Sequence, residues 1–200
     1  MINLQKGRGI NLSKDHGVNR AIIEVTWDPN PDKTTDRKHQ FEVNTVAFEL
    51  TRKDGGKPVA PQDGCFVFFN NLNSPDGGVQ HSPDDWQDGD DKMLVDFAAL
   101  DKSPLGIDEV SCIVEIYEGL LRNQHFGMIG HCTARIVDAD SKSPVAQFRL
   151  TDEDSTATAV QMGSFVKEGG HWHFKAVGAG YQKGLADFLH VYGLQESAPE

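Results

Sequence analysis

Regular alternation of apolar and polar residues is the feature that most constrains the fold of this chain. In residues 20–27, Ala21, Ile23, Val25 and Trp27 alternate with mostly polar residues. Successive side chains of a β-strand point to opposite faces, so this spacing predicts a strand with one buried face. Alternation or short apolar runs predict further strands at residues 41–51, 65–69, 110–117, 131–137, 145–150, 163–166 and 172–177.

Turn-forming residues separate these segments. Gly, Pro, Asn and Asp cluster at residues 28–32, 54–56, 74–78 and 138–144, and a hairpin turn is predicted at residues 168–170. Capping residues and weak apolar stripes predict helices at residues 151–162 and 183–191. The pattern predicts an all-β fold, a β-sandwich of two mostly antiparallel sheets with two or three short peripheral helices. The expected core includes Trp27, Phe48, Phe66, Phe68, Val114, Ile116 and Phe174.

The length of the chain and its cysteines predict a single domain whose thiols are reduced. The chain has 200 residues, of which 38% are hydrophobic, and this is enough for one core. We expect one domain over residues 1–195 and a frayed tail at residues 196–200. Cys65, Cys112 and Cys132 lack CxxC spacing and lie among strand-forming residues, which indicates buried, reduced thiols in the cytoplasm.

The net charge limits the classes of binding partner that the chain favours. With 19 Lys and Arg against 30 Asp and Glu, the formal net charge is -11, which repels nucleic acid and favours a cation. No apolar run approaches the roughly 20 residues that a transmembrane helix needs, and the first residues do not resemble a signal peptide. We therefore expect no transmembrane segment and no export.

Hard oxygen donors are concentrated in residues 70–91. Calcium binds six to eight carboxylate, amide or backbone oxygens, and glycine lets a loop turn its carbonyls inward. An EF-hand is excluded, because a loop starting at Asp84 would place Trp86 third and Val95 twelfth. From the spacing alone, a solvated acidic loop without metal is about as consistent with the sequence as a calcium site is. The donors are Asn70, Asn71, Asp84, Asp88, Asp90 and Asp91.

Other chemistries have weaker patterns. His171 and His173 share a strand face and could both bind zinc. The signal is weak because structural zinc sites usually have four ligands and no clear third ligand is present in the sequence. Ser164 lacks the Gly-x-Ser-x-Gly context of a nucleophile, and carboxylates crowded into one loop do not form the two distinct environments of a glycosidase. Gly178 and Gly180 follow a strand without opening a βαβ unit. We therefore expect no enzyme.

Several motifs, in order, resemble the TerD (tellurium-resistance) family over essentially the whole chain. They are Trp27-Asp28, the run from Phe69 to Gly77, His81, Gly89-Asp90-Asp91, the runs at 124–127 and 150–155, and the aromatic and glycine pattern at 172–181. The resemblance implies a calcium-binding β-sandwich associated with tellurite and stress resistance, in a bacterial cytoplasm or at the inner face of its membrane. It also implies partners among other Ter-type or membrane-associated proteins.

The resemblance adds three residues to the predicted calcium site and identifies two departures. Asp76 belongs to the shared Asp-Gly motif, and Glu42 and Asn44 stand where the family has two aspartates. Lys92 stands where the family has glutamate. The full predicted metal site is Glu42, Asn44, Asn70, Asn71, Asp76, Asp84, Asp88, Asp90 and Asp91.

Three functional hypotheses follow. The first is a calcium-dependent binding or scaffold module. The second is a metal-assisted enzyme or an oxyanion or small-molecule binder with an incompletely coordinated divalent ion. The third is a divergent module that has lost metal binding, consistent with Asn44 and Lys92.

Overall fold

The structure is a computed structural model, and it describes residues 1–33, 35–36, 39–52, 55–82, 88–150 and 156–194. The strands are β1 (Ile2–Asn3), β2 (Gly9–Asn11), β3 (Arg20–Trp27), β4 (Val43–Leu50), β5 (Phe66–Val67), β6 (Val79–His81), β7 (Asp90–Asp96), β8 (Glu109–Ile116), β9 (Cys132–Asp138), β10 (Pro144–Arg149), β11 (Ala159–Glu168) and β12 (His171–Tyr181). Short helices are α1 (Leu12–Asp15), α2 (Phe97–Lys102), α3 (Gly119–Arg122) and α4 (Ala186–Val191), with 3₁₀ turns at Asp63–Cys65 and Phe126–Met128.

The strands form two six-stranded sheets, which confirms the predicted β-sandwich. The first sheet has the order β1-β10-β9-β3-β7-β6, and the second has the order β2-β12-β11-β8-β4-β5. Strands β1 and β10 pair in parallel, and the other neighbours are antiparallel. The main core includes alternate residues of both sheets, such as Val25, Met93, Val114 and Phe174.

Strand β4 is buried on both faces. Val43 and Ala47 belong to the main core, whereas Phe48 belongs to a second cluster with Phe188 of α4 and with Tyr192. Odd-numbered residues of β4 therefore face the sandwich interior, and even-numbered residues face the outer side of the second sheet. This division decides the location of several predicted site residues.

Some local predictions were wrong. Residues 159–162, expected in a helix, belong to β11, because this segment forms backbone ladders with β8 and β12 on both sides. The sequence predicted that residues 90 and 91 belong to a loop, but they are the first residues of β7. Phe66 and Phe68 are half-buried in the second cluster rather than in the main core. Residues 151–155 and the predicted tail at 196–200 lie outside the described residues.

Candidate functional site

Three connections meet at one end of the sandwich. The backbone N–H of Trp27 donates to the carbonyl of Gly89 at 2.8 Å, and that of Asp28 donates to the carbonyl of His131 at 3.2 Å. The N–H of Phe41 donates to the carbonyl of Pro29 at 2.7 Å. The chain after β3 therefore lies beside the segments that lead into β4, β7 and β9.

Gly89 holds the segment before β7 close to β3. Its φ is +72°, and a Cβ atom at this position would lie 2.4 Å from the carbonyl oxygen of Trp27. Both the backbone conformation and the close approach favour glycine. The neighbouring carboxylates differ in exposure, because Asp88 is exposed and Asp90 is half-buried.

Asp91 points between the sheets and connects them. Its Oδ2 accepts hydrogen bonds from the Thr45 backbone N–H at 2.5 Å and from the Thr45 hydroxyl at 2.8 Å. Nε2 of His81 lies 3.2 Å from the same oxygen, and the Lys92 N–H donates to Oδ1 at 2.8 Å. Asp91 is only 3% exposed, so its carboxylate is already occupied by donors from β4, β6 and β7.

Asp90 points to the opposite face of the first sheet. Its Oδ2 lies 2.6 Å from the Lys92 ammonium, which is also 3.8 Å from Glu24. Strand alternation thus separates the two adjacent aspartates onto different faces. Lys92, which departs from the family pattern, supplies a cation beside one of the predicted calcium ligands.

Glu42 and Asn44 are placed at the outer side of the second sheet, away from the interior face that holds Asp91. Glu42 lies 3.9 Å from Arg122. Burial raises the pKa of Glu42 and outweighs the opposite effect of Arg122. Asn44 is directly opposite Glu115 in the β4–β8 ladder. The Asn44 amide nitrogen is buried without a hydrogen-bond partner in the described part of the chain, and burial raises the pKa of Glu115 to about 7.

Asn70, Asn71 and Asp76 lie in or near turns. The Asn71 amide donates to the Phe66 carbonyl at 2.6 Å, which closes the turn after β5. Oδ1 of Asp76 accepts from the Gly78 N–H and the Ser74 hydroxyl, both at 2.9 Å. Asn70 is exposed. The contacts of Asn71 and Asp76 stabilise local backbone.

A buried acid in β4 was missed by the sequence predictions. Glu49 is fully buried, and among the described residues neither of its carboxyl oxygens has a hydrogen-bond partner. Burial raises its pKa to about 8, while Ser74 lowers and Asp76 raises the value. Burial also raises the pKa of the nearby Asp76, but Ser103, the Gly78 N–H, Glu49 and Ser74 together hold it below its usual range. The signal was a glutamate at an inward-facing position of an apolar strand.

The predicted metal ligands therefore do not form one cluster within the described residues. Asp84 lies in the segment 83–87, outside these residues. In the described segments, no three His, Cys, Asp or Glu side chains are arranged to hold a metal ion. Asp88 and Asp90 follow that segment in the sequence and lie at the end where the loops converge.

The three cysteines are buried and free. Burial raises the pKa of Cys65 and of Cys132 to about 12 and raises that of Cys112 further, so these thiols stay protonated at neutral pH. No helix in the described part of the chain has the length and apolarity to span a membrane.

Comparison with known proteins gives a consistent family assignment. The model of the TerD domain matches residues 1–192. The tellurium resistance protein TerD of Serratia marcescens is 34% identical over 200 residues, covering 98% of this chain and 99% of that protein. General stress protein 16U of Bacillus subtilis (strain 168) is 33% identical over 199 residues, covering 97% and 98%.

A solved structure supports the fold. The crystal structure titled as that of unknown function protein SAV2460 has a TM-score of 0.66 and 24% sequence identity, and the match covers 90% of this chain and 99% of that one. At this identity the likeness concerns the fold alone.

Proposed function

Because the chain belongs to the TerD domain family, we propose that it is a calcium-binding scaffold module in tellurium resistance and the general stress response. Relatives named for both processes match it over nearly its whole length. The module acts without catalysis of its own. The ion orders loops at one end of the sandwich into a surface for Ter-type or membrane-associated partners, in the cytoplasm or at the inner face of the membrane.

The observation that carries the calcium proposal is the convergence of loops around Gly89. The contact between Gly89 and Trp27 holds Asp88 and Asp90 at this end, beside the exposed Asp28. Calcium prefers carboxylate and backbone oxygens, both of which are present here. Asp84, between β6 and Asp88 in the sequence, supplies a further carboxylate in the proposed site.

The proposed ligands are a subset of those expected from the sequence. Asp91 acts in the proposal as a support for β7, since its oxygens already accept hydrogen bonds from Thr45 and Lys92. Glu42 and Asn44 are left out because they belong to the outer side of the second sheet. The core of the proposed site is therefore Asp84, Asp88 and Asp90.

Calorimetric titration of chelator-stripped protein with calcium tests this proposal. The Asp90→Asn variant is expected to weaken binding by about tenfold, because it removes one formal charge from the ligand set. The matched control is Asp15→Asn, an exposed aspartate in α1 at the opposite end of the sandwich. Absence of calcium-dependent heat in the wild-type protein would favour the divergent, metal-free alternative.

Lys92 is expected to reduce calcium affinity. Its ammonium lies 2.6 Å from Asp90 and competes with a divalent ion for that carboxylate. Replacing Lys92 with glutamine should strengthen calcium binding by roughly fivefold, the effect of about 1 kcal/mol at a partly exposed position. Lys175→Gln removes a comparable exposed cation paired with Glu168 in the other sheet, and it should leave the affinity unchanged. If the Lys92→Gln variant binds calcium more weakly than the wild-type protein, Lys92 does not compete with calcium for Asp90.

A further inference from the structure

The outer face of the first sheet carries a concentration of basic residues in an otherwise acidic chain. Two adjoining grooves of about 380 and 220 Å³ share Ile22, Lys92 and Lys142. Arg135 completes the rim of the larger groove, and Arg20 completes that of the smaller one. Four cations therefore surround one surface of a protein whose formal net charge is -11.

The floor between these cations is apolar. Ile22 lines both grooves, Val137 lines the larger groove, and Leu94 lines the smaller one. All three side chains are half-buried on the outer sides of their strands. Because the volume of the larger groove lies at the lower end of the range for small-molecule pockets, a compact organic body fits this floor better than a hydrated inorganic ion.

Carboxylates of described residues lie beside three of the four cations. Glu24 is the only acidic residue lining either groove in the described structure, and it is shared between Lys92 at 3.8 Å and Arg135 at 3.9 Å. Arg20 pairs with Asp140, and Lys92 pairs with Asp90. Asp96 and Asp138 also act electrostatically on Arg20, so among the described residues the positive charge is concentrated at Arg135 and Lys142.

The backbone at Lys142 is an independent feature of the same surface. Lys142 has a φ of 60°, a left-handed conformation that is strained for residues other than glycine and asparagine. Its N–H donates to the Asp138 carbonyl at 2.8 Å, which closes the turn between β9 and β10. The turn places an exposed ammonium over both grooves, and Lys142 makes no ion pair with any described residue.

We propose that this face binds a small organic anion, with its apolar body on Ile22 and Val137 and its phosphate or carboxylate group between Arg135 and Lys142. The anion displaces the loose interaction of Arg135 with Glu24. This site uses side-chain cations rather than a metal ion, and it lies on a sheet face rather than at the loop end proposed for calcium. The two sites share Lys92, which pairs with Asp90 of the proposed calcium site, so the test of the anion site uses a chelator and places its variants at Arg135 and Lys142.

The test is a titration of isotope-labelled protein with 1-naphthyl phosphate, followed by backbone amide NMR in the presence of a chelator. The largest shifts are expected in β3, β9 and the turn at Lys142. Arg135→Gln and Lys142→Gln should each weaken binding by about threefold to tenfold, as expected for losing one partly exposed charge contact. The matched control Lys175→Gln should bind with unchanged affinity.

Two ligand controls define the chemistry of the site. The neutral analogue 1-naphthalenemethanol should bind at least about tenfold more weakly, because it lacks the charge contacts. Inorganic phosphate should also bind more weakly, because it does not cover the apolar floor. Equal affinity for either control ligand, shifts located outside this face, or unchanged binding by both rim variants would overturn the proposal.

Discussion

Replacing Asp91 with alanine is expected to lower the free energy of unfolding by about 3–5 kcal/mol, even in the presence of a chelator. The carboxylate is buried and accepts hydrogen bonds from the backbone and hydroxyl of Thr45 in the opposite sheet. Truncation leaves those donors, and the N–H of Lys92, without their acceptor. For a chain of this size, the melting temperature should fall by about 10 °C.

Urea unfolding of variants at Asp88 and Asp91 separates structural from calcium-binding roles. Asp88→Ala should change stability in chelator by less than about 0.5 kcal/mol, since this side chain is exposed. Thr45→Val should reproduce part of the Asp91→Ala loss, because it removes the hydroxyl donor but keeps the backbone donor. If Asp91→Ala costs stability only when calcium is present, Asp91 is a metal ligand and its role between the sheets is refuted.

Replacing Glu49 with glutamine is expected to stabilise the protein at neutral pH. Burial raises the pKa of Glu49 to about 8 from an ordinary value of 4.5. At pH 7 the folded protein retains a proton that the unfolded chain releases, and each pKa unit corresponds to about 1.4 kcal/mol. Glutamine keeps the shape of the side chain without this protonation cost, so the expected gain is about 2–3 kcal/mol.

The pH dependence gives the sign of this effect. Below pH 4.5, Glu49 is protonated in both states, so it contributes no pH dependence. As pH rises from 4.5 towards 8, only the unfolded state loses the proton, and stability falls. Unfolding curves of the wild-type protein and Glu49→Gln should converge near pH 4.5 and separate as pH rises, whereas the exposed Glu168→Gln should show no such separation. Parallel curves for wild type and Glu49→Gln would refute the buried-acid account.

The calcium site stays a prediction, and the placement of its expected ligands shows that spacing along a strand does not identify neighbours in space. Residues 90 and 91 were correctly recognised as acidic and adjacent to a glycine, but they were expected to share a loop. In the structure they begin β7, so Asp90 reaches Lys92 on one face and Asp91 reaches Thr45 on the other. A strand reverses side-chain direction at every residue, which makes consecutive carboxylates poor candidates for a single ion.

Local alternation was sufficient to predict the sandwich. Ala21, Ile23, Val25 and Trp27 repeat every second residue, and this period is a property of the extended backbone itself. The ordered motifs likewise indicated the TerD family, to which the chain belongs. Tertiary structure decided which of the two faces of each strand meets which partner. In β4, Thr45 and Glu49 face the first sheet, whereas Asn44 and Phe48 face the second cluster. That assignment depends on ladder register and on packing between layers, which join residues far apart in sequence and leave no local pattern.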